Sequence, residues 1–464
     1  GTLTHPDRLE SSQMHRSLII MSSFTVLFAT GFATAQDDAD LPAVADEMTP
    51  KGILPVPDYA GDLQERPALT GDWNGTRTKL ADDGIQFQFK WIQYGQGITS
   101  GGLDDVVRYG GVGDYLINLD LDRMGAVPGG LVTFRGESRY GKSVNGQVGT
   151  VLPVNTNAYF PLTGDLDDDI AFTITDLLYT QFLSEKFGVF LGKMDTLNGD
   201  SNEFAGGRGT TQFMNSNFVF NSALALRLPY STLGVGAAWM PTDRMSITAT
   251  LFNTADSSTS TGFDDFGDGL SVTLEAQFQY EVGGLPGGMT LGGLYSFDQD
   301  FTEIGGRIIL DEGENLALPT KNDTWTVYWN GWQYLWAEAG GDAPIAVGDG
   351  RVDRRGFGLF ARFGVADKKT NPVDWSGCIG IGGRGLFPSR SEDTYGVGYF
   401  YTDIQPTRFT NVALIGDGSQ GIEAYYDFAI TNSVNLTLDA QFIEPPYTGA
   451  DTAIVLGARL GIAF

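Results

Sequence analysis

The sequence predicts an all-β chain: a transmembrane antiparallel β-barrel of about sixteen strands, preceded by a short N-terminal helix. Three observations carry this. From Gly84 onward, segment after segment alternates apolar with polar residues, and a strand sends successive side chains to opposite faces. The connectors are mostly tight after even-numbered segments and long after odd-numbered ones, as in a barrel with short turns on one rim and long loops on the other. The closing segment puts Ile454, Leu456, Ala458, Leu460, Ile462 and Phe464 on a greasy face and Ala453, Val455, Gly457, Arg459, Gly461 and Ala463 on the other. A soluble sandwich would alternate too, burying its greasy face and wetting its polar one. The connectors and the even strand count favour the barrel.

Composition agrees. The 464 residues carry a formal net charge of −28, with 63 Gly, 12 % aromatic and 19 % charged residues. Low charge density and abundant glycine suit many short strands and turns. The acidic balance argues against a nucleic-acid partner, because a phosphate backbone needs Lys and Arg. Cys378 is the one cysteine, so no internal disulfide forms, and it reads as a buried or lipid-facing thiol.

In chain order, Met14-His15-Arg16-Ser17 is a short positive start, Leu18 to Phe32 an apolar run, and Ala33-Thr34-Ala35 a small-residue cleavage site. Residues 1–35 therefore read as upstream residues and a signal peptide. Residues 36–68, rich in Asp, Pro and Ala, read as a flexible periplasmic lead-in, and residues 69–464 as the barrel. Past the signal peptide no run of 18 apolar residues occurs, so no membrane helix is expected. Asn74 is expected to cap a short helix reaching about Asp82, with Gly84 ending it. His5 and His15 both precede residue 36, so the remainder holds no histidine. That excludes Ser-His-Asp and Cys-His nucleophiles and HExxH metal sites, leaving only carboxylate chemistry as in a glycosidase.

The strands are expected at 84–94, 112–123, 130–140, 168–183, 187–194, 226–240, 245–254, 270–282, 288–297, 323–337, 354–366, 375–386, 393–403, 419–430, 433–443 and 452–464. One connector, 338–353, is long on the short-turn side.

Several stretches resemble the OprB-type carbohydrate-selective porins of Gram-negative outer membranes. Leu69-Thr-Gly-Asp-Trp-Asn-Gly-Thr-Arg-Thr-Lys-Leu-Ala-Asp-Asp-Gly-Ile85 is similar to the family's opening segment, with Asn74 where a glycine is common. Gly192-Lys193-Met194-Asp195 resembles its G-K-x-D strand end, Arg355 to Gly364 its G-x-x-x-F-x-R strand, and Pro388 to Asp393 its P-x-R-x-x-D turn. Glu423-Ala-Tyr-Tyr426 and Gln441-Phe-Ile-Glu-Pro445 resemble its last hairpin. The resemblance implies a sixteen-stranded barrel in the cell outer membrane that passes sugars by diffusion.

Sugars are held by planar polar groups that pair with hydroxyls and by aromatic faces packed against ring C–H groups. Alternation aims Arg135, Glu137 and Arg139 into the lumen, joined by Asp120 and Asp122 on the preceding strand and Lys90 on the first. Opposed charges across a narrow pore are a selectivity device, though the same residues would also brace and wet a barrel wall. Tyr328, Trp332, Tyr334 and Trp336 share one face of a Trp-rich strand, either as a stacking platform, with Trp332 central, or as an interfacial girdle. The acidic loops Asp165–Asp169, Asp264–Asp268 and Asp298–Asp300 do not match EF-hand spacing. They read as solvated charge, with a loop calcium as the alternative and no other cofactor. Arg390 and Asp393 are expected to pair within a turn.

The expected function is passive diffusion of monosaccharides or small oligosaccharides, not an enzyme reaction. A secreted β-sandwich carbohydrate-binding protein and a carboxylate-based glycosidase are the alternatives. Expected partners are sugars, outer-membrane lipid and, through Phe464, the outer-membrane assembly machinery. Monomer and homotrimer both fit these residues.

Overall fold

The computed structural model describes residues 52–165, 168–199, 202–304, 309–310, 316–338, 355–405, 408–409, 412–413 and 416–464. Residues 1–35, expected to be upstream residues and a signal peptide, and residues 36–51 lie outside the described residues, as does nearly all of the 338–353 connector.

Sixteen strands close into one barrel. They are β1 (Ile85–Gly102), β2 (Val107–Asp120), β3 (Gly130–Gly141), β4 (Ile170–Ser184), β5 (Phe187–Asp195), β6 (Ser231–Thr242), β7 (Met245–Asn253) and β8 (Leu270–Val282). The second half is β9 (Leu285–Thr302), β10 (Thr320–Ala337), β11 (Gly356–Ala366), β12 (Val373–Arg384), β13 (Thr394–Ile404), β14 (Gly418–Thr431), β15 (Val434–Glu444) and β16 (Asp451–Ala463). Each strand pairs antiparallel with its chain neighbours, and β16 returns to β1 with Lys90 opposite Ala463 and Tyr94 opposite Arg459. Closure leaves no sheet edge, the condition for strands to cross a bilayer. The period-two pattern is kept. On β16, Ile454 and Leu456 are exposed on the outer face while Ala453, Val455 and Arg459 are buried inside.

Four expectations are corrected. The connector expected at 95–111 is mostly strand, because β1 and β2 run on in register from Gly95–Tyr109 to Gly97–Val107. The strand expected from 226 begins at Ser231, because residues before it fold into short helical turns. Trp336 does not share a face with Trp332: a register shift between Tyr334 and Trp336 turns it outward, where it is 44 % exposed and stacks on Phe357. Asn74 does not cap the helix, which is α1 (Thr76–Asp82), with Gly75 at its N-cap in a left-handed conformation (φ 86°). The Asp72 carboxylate instead accepts from the N–H and hydroxyl of Thr78, at 2.8 Å each.

The described part of the lead-in, residues 52–68, is docked, not loose. Leu54, Tyr59 and Ala68 are buried. The Ile53 and Leu54 N–H groups donate to Asp120 at 2.6 and 2.9 Å, and Leu69 N–H donates to the Ala463 carbonyl at 2.7 Å. Asn432 Nδ2 reaches the Glu65 carbonyl at 2.6 Å. Residues 52–84 therefore form a strap along the short-turn rim, from the β2–β3 turn to the β14–β15 turn and back to the β1–β16 seam. Proline-rich composition signals lack of regular structure, and regular structure is not needed for a strap whose backbone groups bond to the rim. In the β12–β13 turn, Arg390 forks onto Asp393 with two 2.8 Å bonds, as the sequence suggested.

Candidate functional site

The barrel interior is narrowed by its own loops. Residues 202–230, between β5 and β6, fold inward through two four-residue helices, α2 (Ser216–Val219) and α3 (Ser222–Ala225). Asn215 and Asn221 cap them, accepting from the N–H groups of Asn217 and Leu224. Such short helices do not hold on propensity alone. The wall holds them: Arg362 donates to the carbonyls of Ala205 (2.7 Å), Val219 (3.2 Å) and Phe218, and Arg459 to those of Gln212 (2.8 Å) and Gly209. Glu423 accepts from the N–H groups of Met214 (2.5 Å) and Asn215 (3.0 Å).

Phe213 and Phe218 stack at 4.6 Å and meet Phe360, Phe400 and Tyr425 edge-on, a dry aromatic core inside the barrel. Gly398 makes room for it, since a Cβ there would lie 2.5 Å from Phe218. Residues 142–165 also turn inward, held by Arg139, which donates to the carbonyls of Tyr159 (2.6 Å) and Pro161 (3.0 Å) and to the Thr163 hydroxyl (2.7 Å).

Between these loops and the β1–β3 wall lies a cavity lined by Asp114, Arg135, Glu137, Arg208 and Tyr230. At its polar end Arg135 forks onto Asp114 (2.8 Å twice) and reaches Asp195 at 3.3 Å. Arg208, from the inward loop, pairs with the same Asp195 oxygen. Tyr230 donates to Glu137 at 2.8 Å, and Arg208 stands 3.9 Å from Glu137. Asp176 accepts from the Asp195 N–H at 2.5 Å. Burial and the nearby Arg135 pull the Arg208 guanidinium down, but Asp195, Tyr230 and Glu137 outweigh them and hold it above its ordinary value. Burial holds the Tyr230 phenol well above its usual range, so it stays a donor. The side chains of Arg208 and Asp114 are 19 % and 16 % exposed, whereas Asp195 is sealed. One strong donor and one strong acceptor thus face the cavity.

The sequence-predicted residues divide. Arg135 and Glu137 come together at the cavity, and Lys90 stands opposite Asp114 in the β1–β2 register. Arg139 spends its donors on a loop backbone. Trp332 is inside but covered, 7 % exposed with Phe204 edge-on at 6.3 Å. Asp120 and Asp122 are not pore-lining. Asp120 receives the strap, and Asp122 accepts from Gly129 N–H inside the β2–β3 turn, because β2 ends at Asp120. Asp114, Asp195, Arg208 and Tyr230 were missed. Asp114 follows from the same alternation, and Asp195 ends the G-K-x-D motif. Arg208 and Tyr230 sit in a loop with no periodic signal.

The model of the family described as "Carbohydrate-selective porin, OprB family" matches residues 106–464. The chain belongs to this family of carbohydrate-selective porins. Porin B of Pseudomonas aeruginosa is 24 % identical over 439 residues, covering 85 % of this chain and 91 % of that protein. Among solved structures, the high-pH form of Pseudomonas putida OprB matches with a TM-score of 0.72 and 22 % identity, over 87 % of this chain and all of that one. The low-pH form of the same protein matches with a TM-score of 0.54 and 19 % identity, over 86 % and 99 %. The fold is thus that of a carbohydrate-selective porin, here with its loops folded inward around a charged cavity.

Proposed function

We propose that the cavity bounded by Asp114, Arg135, Glu137, Arg208 and Tyr230 is the selectivity constriction through which this porin passes monosaccharides or small oligosaccharides across the outer membrane. The observation that carries the reading is the partly exposed pair, Arg208 and Asp114, held apart by the buried Arg135–Asp195 bridge. A sugar offers adjacent hydroxyls that both donate and accept. Arg208 donates to one and Asp114 accepts from the next, while the ion-pair network keeps either from collapsing onto the other. Passage is downhill and makes or breaks no bond. The carboxylates are engaged by arginine and tyrosine, which suits binding better than the acid and nucleophile of a glycosidase. Residues 1–35 serve as the leader, and Phe464, stacked on Phe89 at 5.0 Å, completes the outward row presented to the assembly machinery.

The test is sugar block of single-channel current in planar bilayers. Arg208→Gln should raise the half-blocking concentration of a neutral hexose about tenfold, as for one lost charged hydrogen bond of about 1.5 kcal/mol. Unchanged block would remove this cavity from the sugar path.

A further inference from the structure

We propose that residues 254–269, the loop between β7 and β8, lie on the outside of the barrel and seat Phe263 and Phe266 in the outer leaflet, at the boundary between headgroups and acyl chains. Membrane barrels are ringed by aromatic residues at each interface, with the long loops on the outer-leaflet side. Near the long-loop ends of their strands, Phe172 on β4, Tyr295 on β9, Trp325 on β10 and Trp375 on β12 are exposed rings on the outer wall. The four strands β5–β8 break this girdle. Their last outward positions at that rim are Leu191 and Lys193, Leu233 and Val235, Leu251 and Asn253, and Leu270 and Val272. Leu191, Val235, Leu251 and Val272 are exposed, and none of the eight carries a ring.

Three contacts hold the loop over this gap, each made to an outward residue. Lys193 sits in the register between Leu177, which is exposed on the outer wall, and Leu233. A bare lysine in an outward row is costly, but its stem can lie along the wall while its amine climbs to polar groups. Here Nζ donates to the carbonyls of Ser257 (2.7 Å) and Ser260 (2.6 Å). The Asn253 side-chain oxygen accepts from Gly267 N–H at 3.3 Å. Gly262 rests directly on Leu233, where a Cβ would come within 3.3 Å of the leucine Cγ.

Phe263 and Phe266 follow at once, 72 % and 70 % exposed, the most exposed rings among the described residues. Phe266 N–H donates to the Phe263 carbonyl at 3.4 Å, so a single turn carries one ring at each end. Two bare phenylalanines gain nothing from water and gain from every apolar neighbour. The surface continuous with them is the lipid-facing wall of β5–β8, at the height where the other strands carry their own rings. Asp264 and Asp265, between the rings, and Asp268 just after them are charges that the hydrocarbon would reject. They set the depth: the rings enter the boundary and the turn stays among the headgroups. The loop thus supplies the aromatic anchors that its strands lack.

The full porin in phospholipid vesicles tests this. Cys378, the one cysteine of the chain, is replaced by alanine, and a nitroxide is attached through Phe263→Cys or Phe266→Cys. Collisions with oxygen, which concentrates in the bilayer, are compared with collisions with a water-soluble nickel chelate. Leu274→Cys on the outer wall of β8 is the lipid reference, and Asp243→Cys in the β6–β7 turn is the water reference. Both loop labels should give an oxygen-to-nickel ratio several-fold above the Asp243→Cys value and below the Leu274→Cys value. A ratio equal to that of Asp243→Cys places the rings in water and overturns the proposal. Shielding from both reagents means that protein, such as a second copy of this chain, covers the loop, and this also overturns it. If one loop variant does not insert, the other carries the test. If Cys378→Ala does not insert, the native thiol is kept, since it is buried, and the labelling of wild type is subtracted as background.

Discussion

Inside this barrel one residue type does two jobs, decided by what its donors meet. Arg139, Arg362 and Arg459 are spent on backbone carbonyls of inward loops, so they are fasteners. Arg135 is spent on two carboxylates, Asp114 and Asp195, and its side chain is only 6 % exposed. Truncating it would leave those carboxylates without their countercharge in a poorly solvated place. Arg135→Ala is therefore expected to cost about 3–5 kcal/mol, the usual result of removing one member of a buried pair. The temperature at which the folded band converts on an unboiled gel should fall accordingly, while Arg208→Gln, at a more exposed side chain, should shift it little. Equal shifts for both would mean that Arg135 is as solvated as Arg208. Alternation read from the sequence places Arg135 and Arg139 on the same face correctly. It cannot distinguish them, because the partners that separate their roles, Asp195 at the end of β5 and Thr163 in an inward loop, lie 60 and 24 positions away.

Among the elements, the loop 202–230 matters most and was least legible. Its two asparagine caps are local signals of short helical turns, but nothing in their spacing says that the turns lie inside a barrel. That information is split between Phe213 and Phe218 in the loop and Phe360, Gly398, Glu423, Arg362 and Arg459 on four distant strands. The strands, by contrast, were legible because their period of two is imposed locally by lipid on one side and polar lumen on the other. Arg362→Met preserves a long side chain but removes donors to three loop carbonyls. We expect the loop to loosen. Single-channel conductance should rise, discrimination between sugars of different size should fall, and added protease should cut within 202–230 faster than in the wild type. The barrel itself should keep its gel behaviour, since each strand still bonds to both neighbours. Wild-type conductance and protease resistance in this variant would show that Glu423, Arg459 and the aromatic contacts suffice.

At the scale of the molecule, the charge at the constriction decides what else passes. Arg135, Arg208 and Lys90 stand among Asp114, Glu137 and Asp195, three cations against three carboxylates, so any surplus charge comes from the rest of the chain. The chain as a whole carries −28. A narrow passage between low-dielectric walls focuses such an imbalance, so small cations should be favoured over anions and neutral sugars over sugar acids or phosphates. The preference should weaken with added salt, because the Debye length falls from about 10 Å at 0.1 M to about 3 Å at 1 M. The measurement is the reversal potential in a potassium chloride gradient. Wild type should be cation-preferring. Arg208→Gln should increase the preference by removing a positive charge at the cavity, and Asp114→Asn should decrease it. The two variants are expected to move the potential in opposite directions while both weaken sugar block. That separates the charge of the constriction from its hydrogen bonding. An anion-preferring wild type, or variants that shift the potential the same way, would mean that ions cross by a route that does not see these residues.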